Sequence, residues 1–406
     1  MTDTATDVIT ELKQWLEENW DPDLTVGEWW ERLGTAGWSA PMLPENAYGR
    51  GLSRAEANQV QQTIAEHGAL GAPGGLGLLL AAPTIATHGT QEQIDKYVRD
   101  IVTGKQAWCQ LFSEPGAGSD LAGLTCKAVK DGDLWIINGQ KVWTSGGHVA
   151  DMGMLLARTN PEVPKHQGIT WFAFNMHQDG VDVRPLKEMT GRAMFNEVFI
   201  SDAQTGEDTI IGGLNNGWAA ANTTLAFERA GLGAGGGGEA GGGGGGRRSG
   251  ADLYINLAKG NGKINDPNIR QDLMKLHTLG EIAKYMNLRS RALRQAGQPD
   301  IPGGPNIAKL SMSNILRLQR DLGLGIIGML GTLHAYNGED REVLNKATGN
   351  PFIGMVTEGA LFAQGPPIYG GTDQIQRNII GERVLGLPKE PNNDKVTPFK
   401  DLPKNG

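Results

Sequence analysis

Apolar residues at the start of the chain recur at helical spacing: Ile9, Leu12, Trp15 and Leu16 fall on one face. Ser53-x-x-Glu56 and Thr90-x-x-Gln93 each place a hydroxyl at a helix start, with an acceptor three residues later that can answer its N–H. The first hundred residues therefore read as an all-α lobe. From about Trp108 to Ile200 the pattern shortens to β-rich runs, Leu134 to Val142, Met152 to Ala157, Ile169 to Phe174 and Phe195 to Ile200, separated by Gly, Asn and Asp. These predict a small antiparallel barrel or sandwich. From about Gly217 helical patterns return, with Asp266-Pro267 as a helix start and a long run from Ile307 to Leu330. The order is α, β, α, an α+β multidomain chain divided into a helical domain at 1–107, a β domain at 108–212, a helical domain at 213–390 and a tail at 391–406.

Composition adjusts this picture in a few places. The 406 residues suffice for a sizeable core, and a net charge of -8 excludes nucleic-acid binding by clustered Lys and Arg. Two cysteines, Cys109 and Cys126, make neither a disulfide scaffold nor a metal site, and a reducing cytoplasm is the expected compartment. The opening residues follow a helical pattern and not that of a secretion signal. The longest apolar stretch, around Leu76 to Ile85, falls short of the roughly 20 residues a bilayer span requires. Of the 60 glycines, 12 lie between Gly231 and Gly246, a stretch of low helix propensity that reads as a break between helices, either a surface loop or a widening of a neighbouring pocket.

Three blocks carry candidate chemistry. Phe112-Ser113-Glu114-Pro115-Gly116-Ala117-Gly118-Ser119-Asp120 stands where the helical lobe meets the β lobe. Its glycines expose backbone N–H groups and its serines add hydroxyls, so the segment can approach phosphate oxygens or a heterocycle closely. Asn138-Gly139-Gln140-Lys141-Val142-Trp143-Thr144-Ser145 follows; Asn-Gly is a type I′ hairpin signal, which accounts for a turn but not for Trp143 and Ser145, and a core residue is the bland reading of Trp143. The third runs from Tyr369-Gly370-Gly371-Thr372-Asp373-Gln374 to Gly386, with Thr372 placed to cap the helix after it. In this order the blocks resemble the T/S-E-P-x-x-G-S-D, N-G-x-K-x-W-I-T/S and Y-E-G-T-x-x-I-Q-R segments of the acyl-CoA dehydrogenase family, and the resemblance covers nearly the whole chain.

That resemblance implies a helical domain, a β domain and a C-terminal four-helix bundle, FAD as cofactor, and α,β-dehydrogenation of an acyl-CoA thioester. Ser113, Gly118, Ser119, Trp143, Ser145, Thr372 and Gln374 would meet the flavin, while Ser119, Arg229 and Tyr369 would meet the substrate. In many members the second residue of the last segment is the glutamate that removes the α-proton. Here it is Gly370, which has no side chain to accept one. In isovaleryl- and long-chain-type members the glutamate lies far upstream before an arginine, and Leu225-Ala226-Phe227-Glu228-Arg229-Ala230 has that arrangement. Glu228 is the expected base, with Gly370 its complement and backbone N–H donor, and Asp373 is the competing carboxylate. A solvated Glu228-Arg229 pair is the bland alternative.

Two family segments are missing. The Arg-x-x-Phe-Gly stretch that meets a neighbouring subunit's flavin pyrophosphate reads Ala258-Lys259-Gly260-Asn261-Gly262-Lys263, leaving Lys259 or Arg270 to serve the phosphate. The Gln-x-x-Gly-Gly-x-Gly run is replaced by something like Gly325 to Asn337. These losses leave open a flavin-poor subunit of a heteromer, and the fold itself leaves open an oxidase or monooxygenase. Resemblance further implies an electron-transfer flavoprotein as acceptor and a homotetramer or heterotetramer, with no metal and no integral membrane segment.

Overall fold

The computed structural model describes residues 3–233 and 250–403, so the glycine-rich stretch lies almost wholly outside the described residues. The chain forms two compact units: 1–186, 194–228 and 392–406 make the first, and 187–193 with 229–391 make the second.

In the first unit, helices Asp3–Asn19, Val26–Thr35 and Arg54–Glu66 share a core of Leu12, Leu16, Trp29, Leu33, Trp38, Val60 and Ile64. Both expected capping boxes are present, at Ser53/Glu56 and Thr90/Gln93, and a third closes at Thr25/Glu28. A π-helical turn, Gly77–Ala81, runs into the helix Ala82–His88. Next come the eight strands: β1 Trp108–Leu111, β2 Lys127–Asp131, β3 Leu134–Ser145, β4 Met152–Arg158, β5 Ile169–Asn175, β6 Val181–Leu186, β7 Phe195–Gly206 and β8 Ile210–Ile211. They form one sheet in the order β6-β7-β3-β2-β4-β5-β8, with β1 on β4. It is mixed and not wholly antiparallel: β1 runs parallel to β4, and β2 meets β4 in parallel through Lys127 and Arg158. The parallel β1 enters straight from the helical lobe, free of the short hairpin connection that would force it antiparallel.

Burial on both faces explains why β4 and β5 read as apolar runs. Met152, Met154 and Leu156, with Ile169, Trp171 and Ala173, point into a core shared with Leu80, Ile85 and Val98 of the helical lobe. Leu155, Ala157, Phe172 and Phe174 point the opposite way, onto Ile137, Val198 and Ile200. The helix Gly217–Gly233 closes the first of these layers: Ala220 and Ala221 are buried in it, and Trp218, Leu225 and Phe227 pack against it. The C-terminal residues return to this unit, where Phe399 N–H donates to Val163 O at 2.9 Å and the Arg158 guanidinium lies 3.7 Å over the Phe399 ring.

One expected turn is not a turn. Asn138-Gly139 lies inside β3 at a register shift against β7, between the pairs Ile137–Ala203 and Gly139–Ile200. Gly139 is needed there for space, since a Cβ on it would stand 2.6 Å from Cys126 Cβ. Asn138 serves the bulge, donating Nδ2 to Asp202 Oδ1 at 2.9 Å.

In the second unit, helices Gly250–Gly260, Pro267–Gln295, Gly304–Ile327 and Ile353–Phe362 bury one core that includes Leu257, Ile269, Leu273, Leu322, Ile326, Ile353 and Val356. Asp266 caps its helix as expected, with Pro267 at the first turn. The long helical run predicted to reach Leu330 ends at Ile327, where Gly328 turns to φ +57 and a 3-10 turn follows. Among the described residues no helix is long and apolar enough to cross a membrane, and no cluster of His, Cys, Asp and Glu could hold a metal.

Candidate active site

The first two motif blocks are joined in the first unit by a buried ion pair. Lys141 Nζ lies 2.8 Å from Glu114 Oε1, and their side chains are 0% and 5% exposed. The same ammonium donates to Phe112 O at 3.0 Å, and Val142 N–H donates to Ser113 O at 2.9 Å. Glu114 also accepts from Thr125 N–H, the Thr125 hydroxyl and Cys126 N–H, so each carboxylate oxygen is satisfied. Burial pushes the Glu114 carboxyl up; Lys141 and the N–H donors outweigh it and hold the group below its ordinary value. A buried charge pair with this many hydrogen bonds locks geometry, because removing either partner strands the other. Neither Glu114 nor Lys141 is among the candidate residues read from the sequence, although both stand in the quoted motifs.

Beside this bolt, strand β3 breaks register against β7 between Lys141 and Thr144. Trp143 occupies the break at φ +62, which is rare for a bulky residue. It is 62% exposed, so it is not a core tryptophan of this unit, and its ring meets Phe195 edge-on at 5.8 Å. Thr144 between them turns inward, and Ser145 is exposed like Trp143. Asn196 Nδ2 donates to Thr144 O at 2.9 Å and pins the bulge from below. Ser113 is half-buried, while Gly118 and Ser119 are exposed, and a Cβ on Gly118 would meet nothing within 4 Å. Asp120 ends the loop, held by both carboxylate oxygens at 2.9 Å from Lys165 Nζ. An exposed aromatic face, bare backbone and hydroxyls together fit a flat heterocycle with polar edges, which is what the isoalloxazine of FAD presents.

Glu228 lies on the helix Gly217–Gly233, half-buried, with Gln110 Nε2 of β1 at 3.4 Å from its Oε2. Arg229 is exposed. Strand β1 thus touches Glu228 at Gln110 and leads two residues past its end to Ser113.

The third block belongs to the second unit. Gly370 and Gly371 take φ of +62 and +81, the left-handed backbone that glycine enters without strain. Thr372 caps the helix Asp373–Ile379, accepting from Ile375 N–H at 3.1 Å. Asp373 is fully committed: it is buried, with Lys309 Nζ at 3.0 Å, the Ser313 hydroxyl at 2.8 Å and Arg317 at 2.9 Å. Burial raises its carboxyl, yet these three donors together hold it below the ordinary carboxylate range, so it is no competing base. Gln374 is exposed, and the glutamine that shapes the turn is Gln376, which donates Nε2 to Gly370 O at 3.1 Å and accepts from Asn306 at 2.6 Å. Tyr369 is half-buried against Phe362, and burial raises its hydroxyl pKa.

Lys259 and Arg270 are both exposed. Gly331, Thr332, His334 and Tyr336 of the replaced glycine run line a cleft of about 540 Å³ with Arg320 and Gln364, where Arg320 is taken up by Asp321 and Gln364.

Family models for the acyl-CoA dehydrogenase N-terminal, middle and C-terminal domains match residues 2–105, 109–203 and 215–385. The chain belongs to the acyl-CoA dehydrogenase family, whose members are flavoproteins, and is an oxidoreductase acting on acyl-CoA. It is 37% identical over 364 residues to acyl-CoA dehydrogenase IpdE1 of Mycobacterium tuberculosis, covering 89% of this chain and 88% of that one. Among solved structures, one described as the Tcur3481-Tcur3483 steroid ACAD matches with a TM-score of 0.71 at 26% identity, over 95% of this chain and 98% of that chain. The ChsE4-ChsE5 complex of Mycobacterium tuberculosis matches with a TM-score of 0.67 at 25% identity, over 96% and 99%.

Proposed function

We propose that this chain performs FAD-dependent α,β-dehydrogenation of an acyl-CoA thioester to the trans-2-enoyl-CoA, with Glu228 removing the α-proton. The observation that carries the reading is the placement of Glu228: a half-buried carboxylate one strand away from the Ser113–Ser119 loop, reached by Gln110 from the strand that feeds that loop. Ser113, Gly118, Ser119, Trp143 and Ser145 would hold the flavin ring and its edge, with Thr372 and Gln374 assigned to it by the family resemblance. Bound FAD would supply the hydride acceptor at N5. Trp143 would exclude water from that path, and Glu228 would hold the departing proton on its carboxylate. An α-proton beside a thioester is too weakly acidic for a carboxylate unless the carbonyl oxygen is stabilised, and the Gly370 N–H is the donor this chain would contribute. Ser119, Arg229 and Tyr369 would orient the thioester. The division at 107/108, 212/213 and 390/391 is proposed with it, as are tetrameric assembly and an electron-transfer flavoprotein as electron acceptor.

The substrate class proposed is a bulky acyl group, branched, long or polycyclic, supported by the upstream base and by the steroid ACAD among the structural relatives. A panel of butyryl-, octanoyl-, palmitoyl- and isovaleryl-CoA and the CoA thioester of a steroid side-chain acid, scored by kcat/KM, tests it; preference for butyryl-CoA sinks it. Glu228→Gln should keep its flavin band and lose at least about a thousandfold in kcat; undiminished turnover removes the base assignment.

A heteromer is the second reading, favoured by the missing pyrophosphate arginine and by structural relatives that are themselves described by paired names. Purified alone and yellow, the chain holds its flavin by itself; colourless until a partner is added, it does not.

A further inference from the structure

The helix that carries Glu228 is fastened to the N-terminal lobe by side-chain hydroxyls. Thr84 on the helix Ala82–His88 and Thr224 on Gly217–Gly233 are both 0% exposed, and their Oγ1 atoms lie 2.9 Å apart. Each hydroxyl also lies within reach of the carbonyl four residues back, Leu80 O in the preceding π-helical turn at 2.7 Å and Ala220 O at 3.0 Å. Two protons serve three contacts, so one hydroxyl donates across the helix pair while the other donates to its own backbone. Next to this pair, His88 Nε2 lies 2.7 Å from Thr223 Oγ1. Trp218, Ala220, Ala221, Leu225 and Phe227 add apolar packing against the first unit's core, and Gln110 reaches Glu228 at the far end.

The hydrophobic effect is non-directional and by itself does not single out one rotation of a helix. A buried hydroxyl pair is directional: displacement breaks the hydrogen bond between the two Oγ1 atoms and leaves each hydroxyl only the carbonyl four residues before it. Thr224 and Glu228 are four residues apart, so they stand one above the other on the same helix face. We propose that Thr84 and Thr224, backed by His88 and Thr223, are positioning residues that fix the register and rotation of this helix and thereby the place of the Glu228 carboxylate. The proposal rests on Glu228 being the base.

Replacing both threonines by valine removes both hydroxyls at nearly constant shape, which leaves stability nearly unchanged because no buried partner is stranded. The double variant Thr84→Val/Thr224→Val is compared with Thr224→Ser and Glu228→Gln on the acyl-CoA panel, each rate expressed per bound flavin. Expected are a parental Tm, a kcat lowered about tenfold to a hundredfold with KM nearly unchanged, and recovery in Thr224→Ser, since a displacement of about 1 Å costs up to roughly a hundredfold. A purely structural role would lower Tm and yield but leave kcat per flavin intact. A parental kcat in the double variant alongside an inactive Glu228→Gln overturns the clamp and spares the base. A fully active Glu228→Gln overturns both. Amide hydrogen exchange over residues 225–229 gives a substrate-free arm: faster exchange in the double variant is expected, and unchanged exchange overturns the clamp.

Discussion

Lys141 and Glu114 meet 2.8 Å apart in a site closed to solvent, and the contact ties the loop that follows β1 to the strand that presents Trp143. Two segments 27 residues apart are thereby made into one surface. Lys141→Met should cost about 3–5 kcal/mol, the usual penalty for leaving one member of a buried pair alone. Thermal unfolding with and without added FAD checks it, and flavin affinity should fall along with Tm.

The same pair sets a pH dependence. The folded pKa of Glu114 is depressed, so its contribution to stability is fully present above the unfolded value, near 4.3 for a glutamate, and is lost as pH falls through the folded value. Tm should hold between about pH 7 and 5 and drop below about pH 4, with a shallower drop in Lys141→Met. Tm measured across this range on both proteins decides it; parallel curves would place the acid sensitivity elsewhere.

Trp143 separates function from stability. Being 62% exposed at a positive φ, it holds up little of the fold, so Trp143→Ala should change stability by no more than about 0.5 kcal/mol. Flavin retention after gel filtration and kcat should both decline. A large loss of Tm with a normal flavin band would reverse the assignment.

Gln376 is expected to matter more than Gln374. Gln376→Leu leaves Gly370 O and Asn306 without their partner and should cost about 1–3 kcal/mol, with a raised KM. Gln374→Leu, at an exposed position, should leave stability unchanged. Chemical denaturation of the two variants side by side measures the contrast.

The sequence by itself determined the α, β, α order and the family, and it carries the glycine at 370 and the Glu228-Arg229 pair on which the proposed base rests. It also determined the caps at Ser53, Thr90, Asp266 and Thr372, because each closes over two or three residues and depends on little beyond its own turn. Asn138-Gly139 shows where that local reading stops. The dipeptide favours a hairpin turn, but the approach of Cys126 across the sheet makes glycine a matter of space inside a strand. Only the tertiary structure decided that Trp143 faces outward, that Asp373 is consumed by Lys309, Ser313 and Arg317, and that Gln376 holds the Gly370 turn. It alone joined Thr84 to Thr224 across 140 residues. Such contacts depend on how separate elements pack, and no spacing along the chain encodes which buried hydroxyl or charge will find which partner.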